Sequence, residues 1–311
     1  MTVNPNVTRA TSILEIAAGL VASGERSYQP ITVSLGENSD LRLVSSSSAS
    51  SIRDVIAKKA ELALVNPSAA LMQAYRGTGP FKTPQPVRLI AVLPSEDQFV
   101  FAARPGIGMT HLEDIAATRT PLRISLRGSP DHCMHDILKA ITAEAGFTWA
   151  DIEARGGAIV YDGGVPRPGS PRFQSCVEGK VDALFDEGSE EWLAAAAEAG
   201  LTILSLRPET AQRLETNGFR KAWLRKALFP GLKTDILTIE FSGWPFFVHA
   251  DLPESQVRAI CQALDSRRHL IPWQGDGELP IVTMVRDTPA TPHFIPLHPA
   301  AEAFWSERGY I

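Results

Sequence analysis

The order of apolar segments predicts an α/β protein with two lobes. Short apolar runs at 31–35, 41–44 and 62–65 alternate with segments of helical periodicity, and the alternation restarts after the Pro-rich connection 79–86. Alternating strands and helices favour parallel sheets covered by helices, and 311 residues suffice for two such units. The predicted lobes are residues 1–97 with 250–311 (lobe I) and 98–249 (lobe II), with hinge crossings near 94–103 and 241–250.

The first lobe is predicted to begin with an amphipathic helix. Ser12 and Glu15 form a capping-box pattern, and apolar residues at helical spacing follow over 13–23. Further along, Asn66 is expected to cap a helix whose first position is Pro67. The other elements expected in this part of the chain are strands at 31–35, 41–44 and 62–65 and a helix at 52–60.

The second half of the sequence predicts another series of alternating strands and helices. Its elements are strands at 88–93, 99–103, 122–126, 158–161, 181–185 and 202–206, and helices at 111–117, 133–145, 173–178, 190–199 and 208–217. The segment 242–249 is predicted to be an extended crossing back to the first lobe. Helices at 254–269 and 300–307 follow it.

Charge and hydropathy argue against two classes of partner. The chain has 30 Lys and Arg against 35 Asp and Glu, and its basic residues occur singly or in pairs, so no surface is suited to a phosphate backbone. Apolar runs such as 244–248 are far shorter than the roughly 20 residues that span a bilayer. We therefore expect neither nucleic-acid binding nor membrane insertion.

The N-terminal segment does not have the pattern of a signal peptide. Glu15 interrupts the apolar stretch 13–22, and only Arg9 precedes that stretch with a positive charge. The sequence as written therefore predicts a cytoplasmic protein. A mature form whose export signal has been removed would instead be periplasmic.

The cysteines and histidines predict no metal site and no cofactor. Cys133, Cys176 and Cys261 are widely spaced and form no C-x-x-C pair, so unpaired thiols are expected. His132 and His135 lie three residues apart beside Cys133, but no second cluster completes a coordination shell.

A series of short motifs extends over most of the chain. They are Gly77-Thr78-Gly79-Pro80-Phe81, Leu89–Leu93, Phe99-Val100-Phe101, Gly106-Ile107, Leu112-Glu113-Asp114-Ile115 and Pro296–Phe304. In kind and order they resemble the TAXI family of TRAP-transporter solute receptors. The resemblance implies a type II periplasmic binding protein-like fold, two α/β lobes joined by two crossing strands, and a small organic acid or amino acid bound between them. It also implies TRAP membrane subunits as partners if the protein is exported.

Candidate ligand-binding residues of the first lobe follow two predicted strands. In open α/β sheets, ligands bind beyond the carboxyl ends of strands, where helix N-termini attract anions. Ser46, Ser47 and Ser48 belong to a run of hydroxyl side chains in this position, for which a flexible linker is the alternative. Asn66 and Ser68 follow the next strand, and for them ordinary helix capping is the alternative.

The corresponding loops of the second lobe carry charged candidates. Arg127 can pair with a carboxylate through two parallel hydrogen bonds, and Ser129 and His132 stand beside it. Asp186 and Glu187 follow another strand, where two acids would repel an anion unless protonated or paired. An amino group on the ligand, a salt bridge to Arg127, an acid/base role and a capping charge for the next helix all remain open.

Two aromatic residues complete the candidate ligand-binding set. Tyr161 ends a predicted strand, and Trp244 lies in the return crossing, where it can stack on a ligand or belong to an apolar hinge core. The Pro- and Arg-rich loop 165–171 is either a lid or an exposed loop.

The leading functional hypothesis is a solute-binding protein without catalysis that closes around a small carboxylate-bearing metabolite or amino acid by hinge bending. The alternative is a cytoplasmic enzyme on the same fold, such as a decarboxylase or lyase. Asp186, Glu187, His132 and Cys133 would then be the acid/base candidates. A sensor that transmits its closed state to a partner is a third hypothesis.

Overall fold

The computed structural model describes Leu14 and residues 31–34, 40–43, 47–118 and 120–311. The predicted helix 13–23, apart from Leu14, lies outside these residues. The described elements are β1 (Ile31–Ser34), β2 (Asp40–Leu43), α1 (Ser48–Ile56), β3 (Leu62–Leu64), α2 (Ser68–Arg76), β4 (Val87–Leu93), β5 (Val100–Ala103), α3 (Asp114–Ala117), β6 (Arg123–Arg127), α4 (Met134–Glu144), α5 (Trp149–Ala154), β7 (Ala158–Asp162), α6 (Pro171–Val177), β8 (Ala183–Asp186), α7 (Ser189–Glu198), β9 (Thr202–Ile203), α8 (Pro208–Thr216), β10 (Lys221–Leu224), β11 (Ile236–Ile239), β12 (Trp244–His249), α9 (Glu254–Arg267), α10 (Ile281–Met284) and α11 (Pro299–Glu307).

The first lobe is built on a three-stranded sheet in the order β3-β12-β4. The central strand β12 runs antiparallel to both neighbours, so β3 and β4 point the same way without pairing. The expected parallel sheet is wrong in this respect. Strand and helix alternation indicates strand direction, but not that a strand from much later in the chain inserts between two earlier ones. The strands β1 and β2 form a separate antiparallel pair.

The second lobe contains a five-stranded sheet in the order β7-β6-β8-β5-β9. The strands β7, β6 and β8 are parallel, as the sequence predicts. The strand β5 enters from the first lobe and pairs antiparallel with β8 and β9. The carboxyl ends of β6 and β8 therefore lie side by side at one edge of the sheet.

Two segments connect the lobes and pair with each other as antiparallel neighbours. Gln98 lies opposite Glu240, the Phe99 N–H donates to the Ile239 carbonyl at 3.0 Å, and the Phe241 N–H donates to the Asp97 carbonyl at 2.8 Å. The predicted fold class, type II periplasmic binding protein-like with two α/β lobes joined by two crossing strands, is confirmed. The residue limits proposed for the two lobes stay a prediction.

The apolar core continues through these crossings. Phe99 and Phe241 meet edge to face, with ring centroids 5.0 Å apart, and Phe101 meets Phe185 in the same way at 5.1 Å. One cluster of buried side chains includes residues of both lobes, and two smaller clusters lie beneath the outer helices. The lobes are therefore packed against each other at the hinge.

Several element predictions differ from the structure. The helix α1 begins at Ser48, because Ser47 accepts a hydrogen bond from the Ser50 N–H and acts as its N-cap. The second half of the serine run is therefore helical and is not a linker. Asn66 does not cap α2: Pro67 occupies the N-cap position, which places Asn66 one residue too early.

The short helix α5 and the hairpin of β10 and β11 were not predicted. Six residues are too few for helical periodicity to be evident, although Thr148 and Asp151 form a capping box that marks the start of α5. The longest described helix, α9, has 14 residues. Within the described part of the chain, no helix is both long and apolar enough to cross a membrane.

The close approach of the return crossing to α2 generates a first prediction. Gly243 has a φ of +79°, and a Cβ there would lie 2.6 Å from Ser68 Oγ. We expect Gly243→Ala to lower the free energy of unfolding by more than about 1 kcal/mol, since it adds a steric clash to an unfavourable φ. Gly106→Ala is the matched control, with a φ of +75° and no atom within 4 Å. If urea unfolding shows that both variants lose the same free energy of unfolding, a tight contact at Gly243 is contradicted.

Candidate functional site

The starts of three helices meet where the lobes face each other. The Ser48 hydroxyl, at the start of α1, donates to the Asn66 carbonyl at 2.7 Å. The thiol of Cys133, which precedes α4, donates to the same carbonyl at 3.1 Å. Ser68, two residues after Asn66, is the first residue of α2. Because helix N-termini carry partial positive charge, this junction favours an anion.

Several predicted site residues have buried polar atoms without a hydrogen-bond partner in the protein. These atoms are Asn66 Oδ1, Ser68 Oγ, Arg127 Nε and Trp244 Nε1, four of the nine such side-chain atoms in the described residues. Ser68 is 3% exposed and the Arg127 side chain 11%. Buried polar groups are normally paired, so a molecule held between the lobes would complete the bonds of Asn66, Ser68 and Arg127.

A buried ion cluster forms the floor of the site on the side of the second lobe. Arg127 Nη2 contacts carboxylate oxygens of both Asp186 and Glu187. Asp186 is fully buried, and its second oxygen pairs with Arg172 Nη1. Of the roles considered for the two acids, the structure shows the salt bridge to Arg127.

Arg172 is a site-forming residue that the sequence analysis missed. It is 2% exposed and donates to the carbonyls of Ser125 and Phe185, each at 3.0 Å. It follows Pro171 in the first turn of α6, where positive charge is unfavourable. A positive residue in that position is a sequence signal for a nearby carboxylate.

Asp97 was also missed, and it links the cluster to the hinge. Its carboxylate accepts hydrogen bonds from the N–H groups of Gly188, at 3.0 and 2.9 Å, and Ser189, at 3.0 Å. It therefore caps α7 from the crossing segment, the task considered above for Asp186 and Glu187. The side chain of Glu187 is hydrogen-bonded to Asp97.

Burial raises the pKa values of both Glu187 and Asp97 above their usual values. Burial raises the pKa of Glu187 to about 8; Arg127 opposes the rise, and Asp97 and Asp186 add to it. Burial also raises the pKa of Asp97 above its usual value, against the hydrogen bonds from Glu187 and the Ser189 and Gly188 N–H groups. Glu187 therefore holds a proton near pH 7.

His132 and Cys133 are uncharged in this site. Burial, then the charge of Arg127, then His135 lower the pKa of His132 to about 3. Arg127 Nη1 lies 3.0 Å from His132 Nε2, so the neutral imidazole accepts this hydrogen bond. Burial raises the pKa of Cys133 to about 12, which removes its thiolate at neutral pH.

The remaining predicted ligand-binding residues lie around or outside this cluster. Ser129 is exposed, and its carbonyl oxygen lies 2.9 Å from His135 Nε2. Tyr161 is 53% exposed on the edge strand β7. Trp244 packs among the apolar residues beneath α9 and α11. Ser46 lies outside the described residues.

The described residues show no metal-binding group. No set of three or more His, Cys, Asp or Glu side chains in that part of the chain is arranged to hold an ion. Cys133, Cys176 and Cys261 are each buried as free thiols.

An open groove of about 770 Å³ lies elsewhere, between Tyr75, Arg88 and Asn217. It adjoins Arg76 at the far end of α2 from Ser68. We assign the candidate site instead to the junction at Asn66, since the unpartnered atoms of Asn66, Ser68 and Arg127 and the ion cluster lie there.

The chain was compared with known proteins. The model of the NMT1-like family matches residues 27–309. No curated protein matches the chain. A TctC solute binding protein from Polaromonas is 17% identical, with 72% of this chain and 71% of that chain covered and a TM-score of 0.40. PhnD1 from Prochlorococcus marinus, solved with methylphosphonate, is 11% identical. The match covers 86% of this chain and 85% of that chain, with a TM-score of 0.40. The ATP phosphoribosyl transferase (HisG:HisZ) complex from Thermotoga maritima is 12% identical. The match covers 84% of this chain and 94% of that chain, with a TM-score of 0.38.

The buried charge of Asp186 generates a second prediction. We expect Arg172→Met to lower the free energy of unfolding by about 3–5 kcal/mol, because it removes one of the two cations that neutralise a fully buried carboxylate. The control is Arg123→Met: Arg123 is 46% exposed, and its partner Asp182 also pairs with Arg104. That variant should lose at most about 1 kcal/mol. Urea unfolding measures both, and similar losses would contradict the role assigned to Arg172.

Proposed function

This chain belongs to the NMT1-like family, and we propose that it is a binding protein that closes its two lobes around a small carboxylate-bearing molecule. The observation that carries the proposal is the set of unpartnered buried atoms contributed by both lobes. Asn66 Oδ1 and Ser68 Oγ come from the first lobe and Arg127 Nε from the second. A ligand that bonds to all three is satisfied only when the lobes are closed, so its binding stabilises closure.

The charges at the site favour an acid as the ligand. The Nε–H of Arg127 is free to donate a charge-assisted hydrogen bond to a carboxylate, whereas its two Nη groups already contact His132, Asp186 and Glu187. The starts of α1, α2 and α4 add partial positive charge on the same side. Asn66 Oδ1 is an acceptor and suits a hydroxyl or amino group elsewhere on the ligand.

The finer proposal is a receptor of the TAXI type. In that proposal the chain works in the periplasm, binds an organic acid or amino acid, and delivers it to TRAP membrane subunits. The motif order supports this assignment. The TctC structure named above is a solute binding protein by its description, and PhnD1 was solved in complex with methylphosphonate.

A second candidate function rests on Glu187. A carboxyl group whose pKa is about 8, beside an arginine, is suited to proton transfer at neutral pH, as an enzyme on this fold would require. Asp186 is paired with two arginines, and His132 and Cys133 stay neutral. Glu187 would therefore be the group that transfers the proton. Incubating the protein with each acid that it binds, followed by mass spectrometry, separates the two functions. A binding protein returns the acid unchanged, whereas a new product would establish an enzyme.

The binding proposal predicts which substitutions weaken the ligand. A thermal-shift screen of small carboxylates and amino acids should identify ligands, and calorimetry then gives their affinities. We expect Arg127→Ala to weaken an acidic ligand by about 2 kcal/mol or more, because a carboxylate loses its buried cationic partner. Ser68→Ala should weaken it by about 1 kcal/mol through one lost hydrogen bond.

Arg123→Ala is the matched control for that experiment. Arg123 stands at the amino end of β6, the strand that Arg127 ends, and it is also paired with a carboxylate. Its replacement should leave the affinity unchanged. If folded Arg127→Ala protein binds as tightly as the unmodified protein, Arg127 does not contact the ligand.

A further inference from the structure

The open groove at the end of α2 has a lining that is rich in hydrogen-bond donors. Its volume is about 770 Å³, and grooves of this size hold small organic molecules. Tyr75, Arg76, Thr78 and Arg88 line it on the side of α2 and β4, and Asn217 lines it from the end of α8. Among the described residues, no Asp or Glu belongs to this lining.

Two arginines of the groove have no carboxylate partner within the described part of the chain. Arg88 is half-buried; its Nη1 donates to the Val87 carbonyl at 2.9 Å, and its guanidinium lies 5.6 Å from the centroid of the Tyr75 ring. Arg76 is exposed, and its Nη1 donates to the Thr216 carbonyl at 3.1 Å. Nε and Nη2 of both side chains therefore remain available to an oxyanion, which guanidinium groups bind through parallel hydrogen bonds.

The acids that adjoin the lining are paired with other groups. Glu144 accepts a hydrogen bond from Asn217 Nδ2 at 2.9 Å, and two further acids, Asp251 and Glu215, are close in sequence to lining residues. Each of the three has a cation outside the lining as its partner: Glu144 has Arg213 at 2.9 Å, Asp251 has Lys58 at 3.4 Å and Glu215 has Lys221 at 3.1 Å.

Helix ends reduce the positive charge of the groove only in part. The helices α2 and α8 end at Arg76 and Thr216, and C-terminal carbonyls carry partial negative charge. The N–H groups of Gly77 and Thr78 already donate to carbonyls of the last turn of α2, and Arg76 donates to the last carbonyl of α8. Each helix end supplies about half a negative charge at most, so the two arginines leave the groove with about one positive charge or more.

Uncharged side chains add donors and apolar surface to the same groove. The hydroxyl groups of Tyr75 and Thr78 form no hydrogen bond with the residues that the structure describes. Pro84, Pro86 and Ala250 contribute apolar surface. The lining therefore suits a molecule with an anionic end and an apolar body.

We propose that this groove is a second binding site, which takes a small organic molecule carrying two negative charges, on a phosphate monoester or on a pair of carboxylates. Arg76 and Arg88 pair with its oxygens, the hydroxyl groups of Tyr75 and Thr78 donate to it, and its body packs on the apolar residues of the lining. The groove lies at the opposite end of α2 from Ser68, so this site is separate from the junction at Asn66 and does not depend on the proposed binding function.

Calorimetry in a low-salt buffer near neutral pH tests the proposal with two pairs of probes. AMP carries a phosphate monoester and adenosine does not, whereas citrate carries several carboxylates and acetate only one. In at least one pair, we expect the more highly charged member to bind at least about tenfold more tightly, because charge-assisted hydrogen bonds to guanidinium groups require it. The pair that shows this preference identifies the anionic group. If neither pair shows it, the proposal is wrong.

Substitutions in the groove locate the bound probe. Arg88→Met should weaken it by at least about tenfold, because a half-buried cation is lost, and Arg76→Met by about threefold, because that side chain is exposed. Arg53→Met is the matched control. The Arg53 guanidinium also lies over an aromatic ring, 5.8 Å from the centroid of Phe81, but it does not line the groove, and its loss should leave the affinity unchanged.

The variants also separate this groove from the junction at Asn66. Unchanged affinity in both Arg88→Met and Arg76→Met would overturn the proposal, as would an equal loss in Arg53→Met and Arg88→Met. A probe held at the junction would respond to Arg127→Ala and not to Arg76→Met, and that result would contradict the groove site while supporting the proposed function. Arg76→Met replaces an exposed side chain, so it decides the question even if Arg88→Met does not fold.

Discussion

The carboxylate of Asp186 is fully buried, and two guanidinium groups, from Arg127 and Arg172, hold its oxygens. Placing an ionised carboxylate in the interior costs several kcal/mol unless opposite charges and hydrogen bonds compensate it. Three segments must therefore keep their relative positions: the ends of β6 and β8 and the first turn of α6. Arg172 also bonds to carbonyl groups of both strands. The edge of the sheet that carries the candidate site is thus held together by contacts within the protein itself.

The same cluster is connected to the hinge by a short chain of hydrogen bonds. Glu187 reaches from Arg127 to Asp97, and Asp97 caps α7. The backbone of Asp97 is bonded to the Ser242 hydroxyl in the return crossing, with both distances 3.0 Å. The ion cluster is therefore linked by contacts to both connecting segments.

Strand ends and helix starts explain why part of the site could be predicted. Ser47, Ser48, Asn66 and Ser68 were identified because hydroxyl and amide residues between a predicted strand and a predicted helix lie at the edge where α/β sheets bind ligands. Arg127 was identified in the same way. The role of each residue was harder to predict. Asn66 was expected to cap a helix, yet its backbone is hydrogen-bonded to the Ser48 side chain instead. Such bonds join residues 18 positions apart, which local patterns do not reveal.

The sequence by itself determined the class of fold, the division into two lobes and the edges at which a site could form. Periodicity and turn residues are local properties, and each short segment expresses them independently. Only the tertiary structure decided that β12 inserts between β3 and β4, that Arg172 neutralises Asp186, and that Asp97 caps α7 from the crossing segment. These are long-range contacts between buried groups. Their energies depend on burial and on the distance between charges, and neither quantity is defined until the chain has folded.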